Sequence, residues 1–367
     1  MQYVNTTPKG SWHGVKFIFL NNCLINNTTD PAIVPPNFSQ HSWKVSVVDN
    51  APSLPLSLLR TRQRCSEAFR RLKRSDRREA VRQFEKRFGR TPSLKTPRTW
   101  SEKLTCLKLD ADRPIFRDLA DKLAVRDFVA QRLGQQHLIP LLASNPVLTR
   151  DMFEALPEQF VIKSNHGSAM NRIVTDKSAL SFKELKRQTD GWLSRNFYMG
   201  SRETQYRNIA PQLVVEQLML DDSGNIPADY KLHCFNSTEA SRCIIQVDSD
   251  RFNGHCRDYF TTDWQRLPLK VKYANSSASR LPTRPDNLEA LIECAKTLSQ
   301  GFAYVRVDLY SLQGQVYFGE MTFTPESGFG RFEPGHFDEQ WGKYFDLEHQ
   351  LSLHTREDLE RARLAQP

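Results

Sequence analysis

The chain has no long apolar run. Nothing in it approaches the ~20 consecutive apolar residues that a membrane-spanning helix needs, and the stretch Val15-Lys-Phe-Ile-Phe-Leu20 is short and carries a lysine. A basic leader is missing as well, so a cytoplasmic location is expected, with at most peripheral attachment at the inner membrane face. CxxC spacing is absent, and the seven cysteines are odd in number, which argues against a disulfide framework and for reduced thiols. Cys234, Cys243 and Cys256 with His233 and His255 lack the close pairing of a zinc site, and small buried strand residues explain them better. Internal repeats are absent, and so is a Ser/His/Asp elbow for nucleophilic catalysis.

What is present begins with charge. The net charge is +9 over 367 residues, yet Arg60 to Arg90 alone holds thirteen Lys/Arg against four Asp/Glu. The remainder is therefore near neutral. From Ser66 to Phe88 the pattern is that of an amphipathic helix, broken near Ser75-Asp76. It suits a solvated face, or contact with an anionic membrane or acidic polymer. No recognition motif accompanies it, so no nucleic-acid partner is expected.

The most informative stretch runs from Tyr304 to Phe323. Two β-rich runs flank Gln313-Gly314-Gln315, which reads as a hairpin with Leu312 facing Val316. Asp308 then lies opposite Glu320 and Arg306 opposite Thr322, all four on one face. Val305, Val307, Leu309, Met321 and Phe323 fall on the other. Two carboxylates and a hydroxyl suit magnesium, which takes oxygen ligands and leaves room for substrate phosphates. An arginine beside them can steady charge on a transferred phosphoryl group. A structural cross-strand ion pair is the alternative for the same pattern.

Upstream, Phe160-Val-Ile-Lys163 and Arg172-Ile-Val-Thr175 read as strands around a small polar loop that includes His166, Gly167 and Ser168. Lys163 ends the first strand, where its amine can reach a phosphate under the loop. Further strands are expected at Pro211 to Leu218, Ala228 to Asn236 and Arg242 to Val247, and a helix at Leu288 to Leu298. Antiparallel strands with segregated helices define an α+β protein.

These motifs in this order resemble the ATP-grasp superfamily, and more closely its TupA-like group, named for teichuronopeptide biosynthesis. The resemblance runs from about Phe84 to about Leu347. It rests on Asp121-Lys122, Phe160-Val-Ile-Lys-Ser-Asn-His-Gly-Ser168, Asp229-Tyr-Lys-Leu-His-Cys-Phe-Asn236, Arg306-Val-Asp308 and Phe318-Gly-Glu-Met-Thr-Phe-Thr-Pro325. It implies ATP and Mg2+ clamped between two α+β lobes. Lys122 and Lys163 would hold phosphates, Glu216 would sit in the hinge strand beside the adenosine, and Asp308, Glu320 and Thr322 would bind magnesium. Arg306 would steady the transferring phosphoryl, with Lys231 and Arg251 near the reacting ends. The group's loop usually reads His-Gly-Ser-Gly-Gly-Asn. Here Ala169 and Met170 replace both glycines, which counts against loop flexibility and close backbone approach.

The resemblance implies a carboxylate–amine ligase working through an acyl phosphate on small-molecule or glycan substrates, in cell-surface polysaccharide or anionic-polymer assembly. Two competing readings are a glycosyltransferase using Asp248-Ser-Asp250, and a non-catalytic nucleotide-binding module. The expected layout is a weakly packed segment at 1–55, a basic helical region at 56–150, lobes at 151–215 and 216–350, and a charged helical tail at 351–367.

Overall fold

The computed structural model describes residues 19–20, 23–24, 75–237, 241–249 and 254–365. The chain divides into two compact units, Met1–Ser53 and Leu54–Pro367. In the first, Phe19–Leu20 pairs antiparallel with Cys23–Leu24. Most of the segment expected at 1–55, the basic residues 60–74, and both Asp250 and Arg251 lie outside the described residues.

The second unit opens with helices. Ser75 caps α1 (Asp76–Phe88), accepting a hydrogen bond from the Arg78 amide at 3.3 Å, and Gly89 ends it at φ 71. The break expected at Ser75-Asp76 is thus a helix start, because a serine oxygen satisfies an amide left free in the first turn. Thr99 and Glu102 form a capping box on α2 (Trp100–Asp110). Then come α3 (Pro114–Ala120) and α4 (Val125–Leu133).

A small lobe follows, with strands β1 (Leu141–Asn145), β2 (Phe160–Ser164), β3 (Asn171–Val174) and, after α5 (Phe182–Ser194), β4 (Leu213–Gln217). The sheet order is β1-β4-β2-β3, antiparallel throughout. Phe160, Ile162, Leu185, Leu193, Leu213 and Val215 form its core.

The large lobe contains β5 (Asp229–Asn236), β6 (Ser241–Ser249), β7 (Cys256–Phe260), helix α6 (Leu288–Ser299) and the hairpin β8 (Tyr304–Leu312) and β9 (Gln315–Thr322). Its order is β9-β8-β5-β6-β7. Leu232, Val305, Val307, Leu309 and Met321 share one core with Leu291, Ala295 and Leu298 of α6 and with Leu104, Phe116 and Phe128 of α2 to α4. Two boundaries therefore differ from the sequence reading. A break at residue 150 would cut β1 from its sheet, and Glu216 lies inside β4, where it pairs with Leu141. β1 finds its partner about seventy residues downstream, a pairing that local periodicity does not carry.

The hairpin differs in one detail from the expected register. Its turn is two residues, Gln313 at φ 50 and Gly314 at φ 78, with Leu312 opposite Gln315. A bulge at Gly319 then restores the frame, so Asp308 faces Glu320 and Arg306 faces Thr322. Glycine fits there because a Cβ would lie 3.0 Å from the Tyr310 ring and 3.1 Å from the Asp308 carbonyl oxygen.

Candidate active site

Alternation along the large-lobe sheet gathers polar groups on one face. Glu320, Asp308, Lys231, Gln246 and Tyr259 are successive cross-strand partners from β9 to β7. Two residues along, Thr322, Arg306 and His233 form a second row. Two residues the other way, Tyr310, Asp229, Asp248 and Arg257 form a third.

Charges buried on such a face are costly unless each is paired. Arg306 donates from Nε to Asp308 Oδ1 at 2.6 Å, and from Nη2 to Asp308 Oδ2 and Thr322 Oγ1 at 2.9 Å each. The same Nη2 is 3.4 Å from Glu320 Oε1, to which Thr322 donates at 2.8 Å. Lys231 Nζ bridges Asp229 and Asp308 at 2.6 Å to each. Burial works to raise the Glu320 carboxyl, but Lys122, Arg306 and Lys231 outweigh it and hold it at about 2. Burial, then Arg306, pushes His233 down to about 3. It is a neutral ring between the Tyr304 hydroxyl and Gln246 Oε1, each at 3.0 Å.

The facing wall supplies the two lysines. Lys163, near the end of β2, places Nζ 2.6 Å from Glu216 Oε2, and Arg126 of α4 holds the other Glu216 oxygen at 3.1 Å. Lys122, between α3 and α4, donates to the Gly167 carbonyl at 2.8 Å and lies 3.8 Å from Glu320 Oε2. Burial lowers the Lys122 pKa, with Glu320 opposing. Asp121 accepts from Asn165 Nδ2 at 3.0 Å, so the Asp121-Lys122 pair is latched to the loop.

That loop is compact. The Ser164 amide donates to the Met170 carbonyl at 2.9 Å, and the Met170 side chain turns into the small-lobe core at 2% exposure. Ala169 takes the left-handed φ of 59 that glycine adopts without strain. Gly167 backs onto neighbours, since a Cβ there would sit 2.7 Å from Met170 Cε and 2.8 Å from Phe197 Cβ.

Lys122, Lys163, Gly167, Ser168, Lys231, Arg306, Asp308, Glu320 and Thr322 line a single cleft of about 560 Å3. His166 and Glu216 do not. His166 is buried, bonded to Ser164 Oγ and the Arg195 carbonyl, and Glu216 serves Lys163 and Arg126. Arg251 lies outside the described residues. The sequence reading missed Arg257 and Tyr206, weighed Asp248 only for a sugar-nucleotide site and His233 only for zinc, and gave Asp229 no role. Asp229-x-Lys231-x-His233 repeats the alternation of the hairpin and signals a polar face, whereas Asp248 and Arg257 join only through strand register. Among the described residues no group of three or more His, Cys, Asp and Glu converges as a metal site. Two carboxylates and a hydroxyl, all oxygen donors, fit a hard cation that draws its other ligands from phosphates and water.

A family model for TupA-like ATP-grasp proteins matches residues 102–346. No curated protein matches. Among solved structures, D-alanine–D-alanine ligase from Bacillus anthracis is similar at 15% identity and a TM-score of 0.36, over 72% of this chain and 71% of that one. Phosphoribosylamine–glycine ligase from Thermotoga maritima matches at 12% identity and 0.34, over 58% and 50%. N5-carboxyaminoimidazole ribonucleotide synthetase from Thermus thermophilus matches at 12% and 0.33, over 79% and 59%.

Proposed function

The chain belongs to the TupA-like ATP-grasp family, and from that premise we propose that it is an ATP-dependent carboxylate–amine ligase, ADP-forming, that acts on cell-surface polysaccharide or anionic-polymer precursors. One observation carries the reading. Lys163 from the small lobe, Lys122 from the turn between α3 and α4, and an Arg/Asp/Glu/Thr cluster from the large-lobe sheet line the same cleft.

In this reading a substrate carboxylate attacks the γ-phosphorus of ATP, ADP leaves, and an amine displaces phosphate from the acyl phosphate. Lys163 and Lys122 bind the phosphates, exchanging contacts with Glu216 and Glu320 for contacts with the nucleotide. Asp308, Glu320 and Thr322 would hold magnesium, which neutralises phosphate charge when bound. Arg306, fixed by Asp308, donates to the transferring oxygens without reorganising. Lys231 pairs with both Asp308 and Asp229 and so holds the two carboxyl groups side by side. The chain itself supplies positioning and electrostatics, with no covalent nucleophile. The exposed basic residues of α1 would meet an acidic substrate or anionic surface.

The test uses purified protein, ATP, magnesium and a panel of uronic and amino acids, with ADP release as readout. Asp308→Asn and Glu320→Gln are expected to lose turnover, and full retention by both would overturn the metal assignment. Thermal shift against ATP, ADP and UDP-sugars checks the sugar-nucleotide alternative, which stabilisation by UDP-sugars alone would favour. Asp248 counts against that alternative, since Arg257 holds it at 2.6 Å.

A further inference from the structure

The cleft continues past the phosphate-binding groups to a second cluster that the scheme above leaves idle. Asp248, His255, Arg257, Lys272 and Glu326 line this end. Arg257 donates to Asp248 at 2.6 Å and 3.2 Å and to Glu326 at 2.9 Å, and Lys272 reaches Glu326 at 2.7 Å. Every one of these four charges is thus committed to another.

His255 is different. Its Nε2 lies 2.9 Å from Asp248 Oδ1, and its ring stacks on Tyr273 with centroids 3.8 Å apart. Among the described residues none bonds Nδ1. Burial opposes the charge on Asp248, but Arg257 and its hydrogen bonds hold that carboxyl well below the usual range. An ionised Asp248 accepts the Nε2 proton and so selects the tautomer whose Nδ1 carries a lone pair. The cleft also strains around this end. Lys272, Glu326 and Ser327 all take left-handed φ values of 68, 51 and 55 although none is glycine, a conformation kept where surroundings enforce it.

Place matters as much as state. Asp248 stands two strands from Asp308 across the sheet, roughly 10 Å at the usual strand spacing. That is too far to touch the transferring phosphoryl. Asp229 and Lys231 cover the sheet face between them, so a group reaching both ends would lie over these side chains in the same cleft.

We propose that His255, oriented by Asp248 and Tyr273, is the general base for the acceptor amine, and that this end of the cleft is the amine subsite. This rests on the ligase reading above. The amine nitrogen forms the C–N bond while the acyl C–O bond breaks and phosphate leaves with the electron pair. His255 Nδ1 takes the ammonium proton that must leave before nitrogen attacks, and the second proton, released once the C–N bond has formed, leaves with the departing phosphate. Asp248 and Tyr273 are positioning residues. The charged groups facing the imidazole are Asp248 from β6, Arg257 from β7, Lys272 beside Tyr273, and Glu326 from the turn after β9.

Two nucleophiles separate the steps. Hydroxylamine is already neutral at neutral pH and attacks without a prior deprotonation, whereas the ammonium group of L-glutamate must first give up a proton before its nitrogen can attack. With D-glucuronate or another uronate of the panel as carboxylate, hydroxamate and amide are measured for the wild type, His255→Gln and Asp248→Asn. Expected for His255→Gln is a fall in amide formation on the order of 10²-fold greater than any fall in hydroxamate. The acidic limb of its pH–rate profile should also flatten, and Asp248→Asn should give a smaller change in the same ratio. Equal losses of amide and hydroxamate, or an unchanged pH profile, would overturn the proposal. A wild type that forms no hydroxamate with any carboxylate tested would instead overturn the ligase reading and this inference with it.

Discussion

The two walls of the cleft hold their charges by opposite means. On the hairpin wall, three strands bring Arg306, Asp308, Lys231 and Glu320 into one mesh, so every group has several partners. On the loop wall, Lys163 and Lys122 each lean on one carboxylate, and the loop that follows Lys163 is fixed by packing, with Met170 as the anchor. A mesh is stiff and fails as a unit, while a packed loop is tuned by volume. Under the proposed ligase reading, the hairpin wall would be preorganised for charge that develops during reaction, and the loop wall for charge that arrives with the ligand.

The strongest test of that contrast is a charge-conserving change on each wall. Arg306→Lys keeps the charge but loses the paired Nε and Nη2 contacts to Asp308. ATP turnover is expected to fall by about 10²–10³-fold, the usual cost of one preorganised donor, with circular dichroism unchanged. Lys163→Arg should act mainly on the KM for ATP. Glu216 keeps Arg126 at 3.1 Å, so that wall does not lose its balance. Equal effects of both on kcat would erase the distinction.

Packing supplies the next test. Met170→Ala empties a buried site at 2% exposure and should cost about 2–5 kcal/mol in denaturant unfolding, with weaker ATP binding as the loop loosens. A variant as stable as the wild type would show that Met170 does not anchor the loop.

Acid titration reads the mesh directly. Glu320 falls from an ordinary value of 4.5 to about 2 in the folded chain, against burial, through Lys122, Arg306 and Lys231. A carboxyl depressed by folding stabilises above its unfolded pKa, and that contribution fades as pH drops from about 4.5 towards 2. Glu102, at about 2 against the same pull of burial through Arg90 and the amides of Arg98, Ser93 and Thr99, adds to the same window. Unfolding followed by denaturant between pH 5 and 2 should therefore show a shallower loss for Glu320→Gln than for the wild type, and shallower again with Glu102→Gln added. Parallel curves would mean that the mesh does not hold Glu320 ionised.

Legibility in the sequence follows the same division. Period-two alternation in Arg306-Val-Asp308 and Gly319-Glu-Met-Thr322 sufficed to place four side chains on one face. The one-residue error at the turn was cancelled by the bulge at Gly319. The same alternation in Asp229-x-Lys231-x-His233 was legible but went unused. It said nothing of β1 joining β4, of Asp248 meeting Arg257, or of His166 turning inward, because each depends on which strands pair and what fills the space behind them. The loop was readable only as a departure, and the departure pointed to missing flexibility. In the folded chain Met170 is a core residue and Ala169 bears the strain.

That strain yields the smallest and finest test. Ala169 sits at φ 59, where an L side chain crowds the following carbonyl and glycine does not. Ala169→Gly removes this strain, about 1 kcal/mol, but returns chain entropy of similar size to the unfolded state. Net stability should change by less than about 1 kcal/mol. The functional effect has a definite sign on the view that the loop wall is held by packing. With Met170 still anchoring the loop, freeing residue 169 should leave ATP affinity within a few-fold, whereas Ala169→Gly combined with Met170→Gly should weaken it well beyond that. If the single change alone alters ATP affinity strongly, the loop is governed by its backbone and not by its anchor. The two walls would then differ less than their contacts imply.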